Sequence, residues 1–425
     1  MKRYILVVLV SFFVLLTFGA CKTESSDNSS GKAITLFLVN IQGGQYSALF
    51  KGNNGTLTVP DGADVTALVP TITTSPDSSI SPASGVVQDF TNPVIYTVTA
   101  EDSSTQDYVI SVVGSKEINA IVKGANRLED IQNSDGTWEW NNPDTDKTNG
   151  PGPSNTYGVT GIGLLGAYEV TKNVTYLDAA KITGDALITK FFGSNSINAD
   201  NVNDSLRGNA FDIVFFYELG KLSGVTVYTY AANALLENTF YQENYWTTHN
   251  GNYCGTDGCT PQELYDAVDD YRTGNPALEF WDLHTYVEAS ELGGYDFVGE
   301  LKSVIESEYT TNLNSSDQYY ILALAGIVDA TGNNDAVAEL LALQKPDGRW
   351  SSSNPEGDVQ DTAYAVMALM KENYAINYNA VTAGVEWLRD NQGTTGGWEN
   401  DSDTENTELT SEALWSISDY IQNNK

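Results

Sequence analysis

The chain has 425 residues and carries 56 acidic against 21 basic side chains, which gives a formal net charge of −35. A negative field of this strength repels nucleic acid and anionic lipid, so it argues against both as partners and favours a neutral or cationic ligand. A solvated acidic surface also needs no ligand at all. Beyond residues 1–20, no segment approaches the roughly 18 apolar residues of a membrane-spanning helix.

The N-terminus has a basic start, a long apolar run, and a Gly-Ala pair directly before Cys21. This pattern is typical of a secretory signal, so residues 1–20 are excluded from fold prediction. The small-small-Cys ending resembles the lipobox of bacterial lipoproteins. The resemblance implies a lipidated Cys21 as the membrane anchor, a polar tether over 21–32, and an exported protein at the outer membrane or cell surface. An ordinary cleaved signal with an incidental cysteine remains the alternative.

Two further cysteines lie in "YCGTDGCT", where Cys254 and Cys259 enclose a glycine-containing loop. In an exported protein a disulfide between them is the first expectation. A zinc site would need more thiols or histidines, and only His249 lies close in sequence. We therefore predict no metal and no cofactor.

Residues 33–114 contain alternating and β-branched runs such as "ITLFLV", "GTLTVP" and "VIYTVTAED", separated by Gly, Pro, Asn and Ser clusters. This texture predicts a small antiparallel β-sandwich. The stretches "VPDGADVTALVPTITTSPDSSISPASG" and "YTVTAEDSSTQDYVISV" resemble the immunoglobulin-like or cadherin-like domains that follow the tether in many bacterial surface lipoproteins. The resemblance implies a spacer without chemistry of its own.

From about residue 116 to 425 the hydrophobic period becomes helical, and the pattern predicts twelve helices in six pairs. The predicted fold class is therefore multidomain β and α, with a small antiparallel β-sandwich followed by a six-hairpin α/α toroid. The twelve predicted helices span 117–132, 157–172, 174–192, 206–223, 225–241, 276–292, 295–309, 317–331, 333–344, 359–372, 377–392 and 406–423.

One template recurs in this helical part: Leu, then Gln four residues on, Gly four further and Trp two further. Each copy is predicted to end a helix, with Gln bonding unpaired helix-end groups, Gly allowing the turn, and Trp packing on the next hairpin. Because a hairpin cannot bury its apolar face alone, six should stack and close into a ring. The copies are Leu128, Gln132, Gly136, Trp138; Leu340, Gln344, Gly348, Trp350; and Leu388, Gln392, Gly396, Trp398.

On this pattern, residues 116–425 resemble the α/α-toroid superfamily of terpenoid cyclases and prenyltransferase β subunits, most strongly in "DVQDTAYAVMAL" and "ENTELTSEALWSI". The resemblance implies a double ring, with the N-termini of the inner helices around one mouth of a cavity. It does not carry the activities over. The Asp-x-Asp-Asp motif of class II cyclases is "DVQD" here, with Gln360 in place of the proton-donating acid. An Asp-x-Cys pair like that of protein prenyltransferases occurs only in the Cys254–Cys259 loop, and the thioester run Gly-Cys-Gly-Glu-Gln is missing.

If the first turns of the inner helices face the cavity, aromatic and carboxylate side chains gather at its rim. Asp282, His284 and Asp361 are the candidate catalysts, because an acid and a base could meet in such a cleft. Against this, residues two apart on a helix face different directions, and Asp358 and Asp361 could equally cap a helix N-terminus. The predicted rim consists of Tyr157, Asp212, Trp281, Asp282, His284, Tyr319, Asp361, Tyr364 and Glu408.

Two functions from different classes stay open. The first is a surface-exposed lipoprotein whose toroid binds a glycan, a small polar ligand or a partner without chemistry. The second is a carbohydrate-active enzyme, a polysaccharide lyase or glycoside hydrolase, that uses carboxylates in the cavity. Binding is favoured, because no catalytic constellation stands out from residues that could serve structure alone.

The membrane anchor can be tested by changing Cys21→Ala, which removes the only atom that the lipid could be attached to. We expect the variant to leave the membrane fraction and appear in the soluble fraction, while the wild type carries lipid by mass spectrometry. A variant that resists a carbonate wash, or a wild type without lipid, would contradict the anchor.

Overall fold

The structure is a computed structural model that describes residues 29–139, 156–203, 210–241, 260–264, 266, 276–295, 298–354 and 357–424. Strands occupy its N-terminal part and helices nearly all of the rest. None of the helices within these ranges is long and apolar enough to cross a membrane. Cys21, Cys254 and Cys259 lie outside the described residues, so the predicted lipidation and disulfide remain predictions.

Eight strands form two sheets in the N-terminal part. One sheet has the order β2-β1-β5 and the other the order β3-β4-β8-β7-β6. Neighbouring strands in both sheets are antiparallel, except that β4 and β8 are parallel. The chain passes through β5, β6 and β7 between these two strands. The strands are β1 (Ile34–Ile41), β2 (Gly44–Ser47), β3 (Leu49–Lys51), β4 (Asn54–Pro60), β5 (Thr71–Thr74), β6 (Ser79–Ser81), β7 (Val94–Thr99) and β8 (Thr105–Ser115).

The two sheets pack face to face through alternate residues. Leu57 and Val59 on β4, with Tyr96 and Val98 on β7, are buried, whereas the residues between them are more exposed. Phe37 from the other sheet meets Tyr96 edge-on, with ring centroids 5.1 Å apart. The period of two in the sequence thus becomes one buried face per strand, as in a sandwich.

Helices make up most of the rest of the described chain, apart from a short antiparallel pair of strands, β9 (Trp398–Glu399) and β10 (Glu405–Asn406). Asn373 has non-helical angles (φ −162°, ψ 90°) and divides α10 into two arms, 358–372 and 374–390. Counting these arms separately, the described residues contain twelve helices besides short turns, as the sequence predicts. They are α1 (Lys116–Ile131), α2 (Thr156–Thr171), α3 (Val174–Phe192), α4 (Ala210–Ser223), α5 (Thr226–Tyr241), α6 (Pro276–Gly293), α7 (Val298–Asn312), α8 (Tyr320–Thr331), α9 (Asn334–Leu343), α10 (Asp358–Asp390) and α11 (Thr407–Asn423).

Six of these helices form a closed inner ring. α2 packs on α4, α4 on α6, α6 on α8, α8 on the first arm of α10, that arm on α11, and α11 on α2 again. The other helices, α1, α3, α5, α7, α9 and the second arm of α10, lie outside and alternate with them along the chain. The fold is therefore an α/α toroid, and that prediction is confirmed.

Helix α2 is wedged between two inner neighbours because glycines face both of them. A Cβ on Gly158 would lie 2.6 Å from the backbone nitrogen of Asp212 on α4, and a Cβ on Gly163 would lie 2.7 Å from the carbonyl oxygen of Ser411 on α11. Any larger residue would force the helices apart. The glycines in "TYGVTGIGLLGAYEVT" thus serve helix packing.

The repeated motif joins one outer helix to the next. In the second copy, the Gln344 amide donates 2.8 Å hydrogen bonds to the carbonyl oxygens of Gly348 and of Ala380 in the next outer helix. The Trp350 indole N–H donates to the carbonyl oxygen of Leu340 at 2.7 Å, within the last turn of α9. The indole, rather than the glutamine, therefore satisfies the unpaired helix end, and the glutamine bridges two helices. The predicted role of the glutamine at its own helix end is therefore wrong, and the tryptophan has the helix-end hydrogen bond in addition to its predicted packing role.

The turn and the ring packing follow the predicted roles of glycine and tryptophan. Gly348 has φ +100°, a left-handed conformation that favours glycine. Trp350 is fully buried, and a Cβ on Gly384 of the neighbouring outer helix would lie 3.0 Å from its ring. Indole and helix therefore meet at a contact that only a glycine can make.

The third copy of the motif closes the ring onto the first helix of the toroid. The Gln392 amide donates to the carbonyl oxygen of Ala120 on α1 at 2.9 Å, and the Trp398 ring lies against Gly124. Two ion pairs span the same joint: Arg389 with Glu117 at 2.5 Å, and Arg127 with Glu405 at 2.6 Å. These contacts connect the last repeat turn of the helical region to its first helix.

The sandwich and the toroid meet without a linker, because β8 ends at Ser115 and α1 begins at Lys116. The Ser115 hydroxyl accepts a 3.1 Å hydrogen bond from the backbone N–H of Ile118 and so caps α1, while Ser115 still pairs with Pro60 in the sheet. Because Ser115 belongs to a strand and also caps a helix, the sandwich and the toroid have little freedom to move relative to each other.

Replacing Trp350→Ala should lower the free energy of unfolding by about 3 to 5 kcal/mol, because a large buried ring is removed from between two outer helices. Trp350→Phe keeps most of the ring but loses the indole N–H, so it should cost clearly less. Chemical denaturation of both variants measures the difference. Equal stability of Trp350→Ala and the wild type would show that the motif is not part of the core.

Candidate functional site

The inner helices run parallel, so their N-terminal turns meet at one end of the ring, and most of the predicted rim residues lie there. Tyr157 and Asp212 are buried in the first turns of α2 and α4. The Lys190 ammonium lies 5.1 Å from the centre of the Tyr157 ring. Burial lowers the pKa of Lys190, while the Asp212 carboxylate acts in the opposite direction. These three side chains form one local cluster.

Asp361 belongs to a second cluster, where it holds the loop before α10. It is fully buried, and its carboxylate accepts hydrogen bonds from the Ser352 backbone N–H at 2.7 Å, the Ser352 hydroxyl at 2.6 Å and the Asn354 amide at 3.2 Å. Burial raises the pKa of Asp361 to about 6, although these hydrogen bonds oppose the shift. The contacts give Asp361 a structural role in fixing residues 352–354.

The Gln360 side chain, at the position of the proton donor in the cyclase motif, forms hydrogen bonds through both its amide nitrogen and its amide oxygen. Its amide nitrogen donates to the two carboxylate oxygens of Glu412 at 3.0 and 3.2 Å, and its amide oxygen accepts from Asn354 at 3.0 Å. The amide therefore links α10 to α11 and to the preceding loop. A carboxylic acid at this position would have to share the space with the Glu412 carboxylate.

Of the predicted residues, His284 and Tyr364 line a common space. Their ring centroids are 6.3 Å apart in an edge-on arrangement, and both border a hollow inside the ring. Burial, and then the nearby Glu412 and Glu408 carboxylates, raise the pKa of Tyr364. Asp282 is partly buried on α6, Tyr319 directly precedes α8, and the side chain of Trp281 lies outside the described residues.

The hollow bordered by His284 and Tyr364 has a volume of about 450 Å³. Toward the C-terminal ends of the inner helices it adjoins a second hollow of about 660 Å³, and both volumes include the openings to solvent. Both are bordered by Glu288, Trp415 and Asp419. We call them together the central hollow. Its other charged residues are Glu169, Glu218, Lys221, Asp329 and Lys371.

Sequence reasoning missed most of this hollow because it looked for the site at the N-terminal turns alone. The signal was a carboxylic side chain one turn after a conspicuous ring on the same helix. Glu288 lies four residues after His284, and Asp419 four after Trp415, so each pair shares one face of its helix. Extending the predicted rim by one turn from His284 would have found Glu288, whereas Asp419 lies about three turns beyond the predicted rim residue Glu408.

The carboxyl groups that border the central hollow outnumber its lysines. Lys371 pairs with Asp329 at 2.7 Å, and Lys221 pairs with Glu218 at 2.8 Å. Burial, then the Asp329 and Glu218 carboxylates, raise the pKa of Glu288 to about 7 against the influence of Lys371.

Asp419 is the second carboxyl group of the hollow whose pKa is raised. Burial, and then Glu288, Glu169 and Glu218, raise its pKa to about 8. The group is partly reached by water inside the hollow, yet protein surrounds it, which explains its strong desolvation.

The central hollow thus combines carboxylic acids that can donate hydrogen bonds, carboxylates that can accept them, and the rings of Trp415 and Tyr364. Within the described ranges, no three His, Cys, Asp or Glu side chains come together as metal ligands. The arrangement suits an uncharged ligand with several hydroxyl groups, because such a ligand both donates and accepts and has an apolar face.

Comparison with known families identifies the N-terminal part. Residues 39–112 match the model of the N-terminal domain of SGBP, the surface glycan-binding proteins. This match covers the sandwich from β1 to β8 and leaves the toroid outside. No curated protein sequence matches the chain.

Solved structures resemble the chain over different parts. A glycoside hydrolase candidate from Bacteroides thetaiotaomicron is 30% identical over 22% of this chain, with a TM-score of 0.19, and the match spans only 28% of that protein. The GH76A α-1,6-mannanase of a Salegentibacter species is 13% identical over 72% of this chain and 99% of its own, with a TM-score of 0.43. The type II terpene cyclase MstE of Scytonema is 18% identical over 72% and 98%, with a TM-score of 0.45.

The raised pKa values predict how stability depends on pH. The pKa of Asp419 is 3.8 in its ordinary state and about 8 in the fold, so between these values the folded protein holds a proton that the unfolded chain releases. The free energy of unfolding should therefore fall as pH rises through this window. In Asp419→Asn the fall should be shallower, and at pH about 8 the variant should gain stability relative to the wild type.

Denaturant titrations across this pH range measure the effect. Asp178→Asn is the matched control, because the side chain of Asp178 is 65% exposed on the surface of α3. The control should follow the wild type. Parallel curves for Asp419→Asn and the wild type would contradict the buried, protonated state.

Proposed function

We propose that the protein is an exported glycan-binding protein of the bacterial cell surface, whose toroid binds a neutral saccharide in the central hollow. The match of residues 39–112 to the N-terminal domain of surface glycan-binding proteins carries this proposal. That domain stands directly before the toroid and joins it without a linker. The toroid is then the part of the chain that remains available for the ligand.

The chemistry of the central hollow supports a saccharide. Trp415 can lie against the apolar face of a sugar ring, as aromatic side chains do in ligand pockets. Burial raises the pKa of Glu288 to about 7 and that of Asp419 to about 8, so their protonated forms can donate to sugar hydroxyl oxygens, and Glu218, which pairs with Lys221, can accept from sugar hydroxyl groups. Each type of group that a polyhydroxylated ligand needs is therefore present within one hollow.

Charge restricts the class of glycan. Loss of Lys2 and Arg3 with the signal would change the net charge from −35 to −37, and the hollow itself carries more carboxyl groups than lysines. A sulfated or uronic-acid glycan would meet repulsion both at a distance and on binding. Neutral glycans are the expected ligands.

The location follows from the N-terminus. We propose that the lipid on Cys21 and the polar tether 21–32 hold the protein at the outer membrane or cell surface. The sandwich then lies between the tether and the toroid, and the toroid faces the medium in which glycans are found.

A glycoside hydrolase is the second candidate, favoured by one observation. The carboxyl groups of Glu288, Asp419 and Glu218 border one hollow, burial raises the pKa of the first two, and a protonated acid with a carboxylate in one cleft is the pair that glycosidic hydrolysis requires. An enzyme would release new reducing ends from an oligosaccharide, whereas a binding protein would return it intact. Incubation followed by a reducing-end assay distinguishes the two.

Binding can be measured by calorimetry against a panel of neutral gluco-, manno- and xylo-oligosaccharides. Trp415→Ala should weaken the binding of a ligand found in this panel by about tenfold, the equivalent of about 1.4 kcal/mol, because the ring face is lost. Glu288→Gln should weaken it less, because the amide keeps a donor. Trp387→Ala, on the outer ring, is the matched control and should bind as the wild type does. Failure of the panel to bind at all would contradict the function.

A further inference from the structure

A second hollow lies between the sandwich and the toroid, next to the central hollow. It measures about 870 Å³ including its opening, and Glu169 borders both hollows. We call it the interdomain groove. Pockets of roughly 300 to 1,000 Å³ at domain interfaces are typical ligand sites.

The two sides of the groove offer complementary chemistry. Strands β2, β3 and β4 contribute one wall, and the C-terminal ends of α2 and α11 contribute the other. Its surface is mostly apolar, through side chains such as Leu49, Val170 and Ile421. Polar groups able to bond sugar hydroxyls are spread along it: Gln45, Ser47, Thr56, Thr58 and Asn424.

One buried polar group in this wall points to a ligand. Tyr46 borders the groove and is only 4% exposed, and its hydroxyl makes no hydrogen bond to any of the described residues. A buried hydroxyl without a partner loses the hydrogen bonds it would make in water, which is unfavourable. A hydroxylated ligand in the groove would supply the missing partner.

The charge of the groove and the rigid joint between the two domains favour one kind of ligand. Glu169 and Lys172 give the groove one charge of each sign, so it attracts neither anions nor cations strongly. The direct passage from β8 to α1 keeps its two walls at a fixed distance. A groove that is preformed, carries one charge of each sign and shares Glu169 with the central hollow fits a neutral chain that extends from one hollow to the other.

We propose that the interdomain groove binds the continuing part of a neutral oligosaccharide whose end occupies the central hollow, so that the sandwich forms one wall of an extended binding site. This inference rests on the proposed glycan-binding function. It replaces the expectation that the sandwich serves only as a spacer. It also implies that affinity increases with the length of the saccharide.

The test uses the full chain and a series of neutral oligosaccharides from disaccharide to octasaccharide of the type that binds in the panel. Thr56→Trp places a large ring in the groove from an exposed position on β4, and Thr105→Trp is the matched control at the far end of the sandwich. Thr56→Trp should weaken octasaccharide binding by about tenfold. It should leave disaccharide binding unchanged, and Thr105→Trp should change neither.

Tyr46→Phe is the second variant, because it removes only the buried hydroxyl. Its free energy of unfolding should be equal to or above that of the wild type, since the hydroxyl has no partner among the described residues, while octasaccharide binding weakens. Circular dichroism verifies folding of each variant.

The outcomes separate the two proposals. If Trp415→Ala weakens binding but affinity does not depend on length, or Thr56→Trp binds the octasaccharide normally, the groove is not part of the site, and glycan binding in the central hollow stands. If the folded wild type binds no oligosaccharide, both proposals are overturned. Length-dependent affinity that is lost in Thr56→Trp and retained in Thr105→Trp supports the extended site.

Discussion

Closure of the helical ring depends on the contact between the last repeat turn and the first helix. Gln392 and Trp398 meet α1 at Ala120 and Gly124, and the ion pairs of Arg389 and Arg127 lie on the same joint. Without this contact α1 would lose a neighbour, and α11 would lose the outer helix that covers it. A ring is stable only as a whole, because each hairpin buries its apolar face on the next one.

Closure also explains the electrostatics of the interior. In a closed ring the inward faces of six helices share one narrow space, so a charged residue on such a face cannot turn away to solvent. Glu288 and Asp419 are placed in this way, and burial is the largest cause of the rise in the pKa of each. The raised pKa values of Glu288 and Asp419 therefore follow from the architecture, and they favour the protonated form of each group.

The sequence predicted the architecture well because that information is local. Helical periodicity, the glycine turns and the Gln-Gly-Trp spacing are set by neighbouring residues, and the helix bounds agree within a few residues with those observed, as for 174–192 and 377–392. The prediction failed where partners are remote. Whether Gln344 would bond its own helix end or Ala380 depends on how two helices cross, and spacing along the chain does not specify that distance.

The candidate site was less predictable for the same reason. His284 and Tyr364 were found because they are chemically conspicuous near helix starts, but the depth at which the cavity lies was not readable from periodicity. Tyr46 had no signal at all in the helical part, since it belongs to the sandwich and approaches the toroid only through tertiary structure. A groove whose walls come from two domains can be recognised only once the fold is known.

The contact between the first helix and the last repeat turn constrains the order in which the protein folds during synthesis. An α1 that has left the ribosome has no partner for Ala120 and Gly124 until the segment with Gln392 and Trp398 has been synthesised. The ring therefore cannot be completed while the chain is growing, whereas the sandwich, whose strands end at Ser115, can form first. The enclosed interior, with Glu288 and Asp419 in it, therefore forms only after the last hairpin has packed against the first helix.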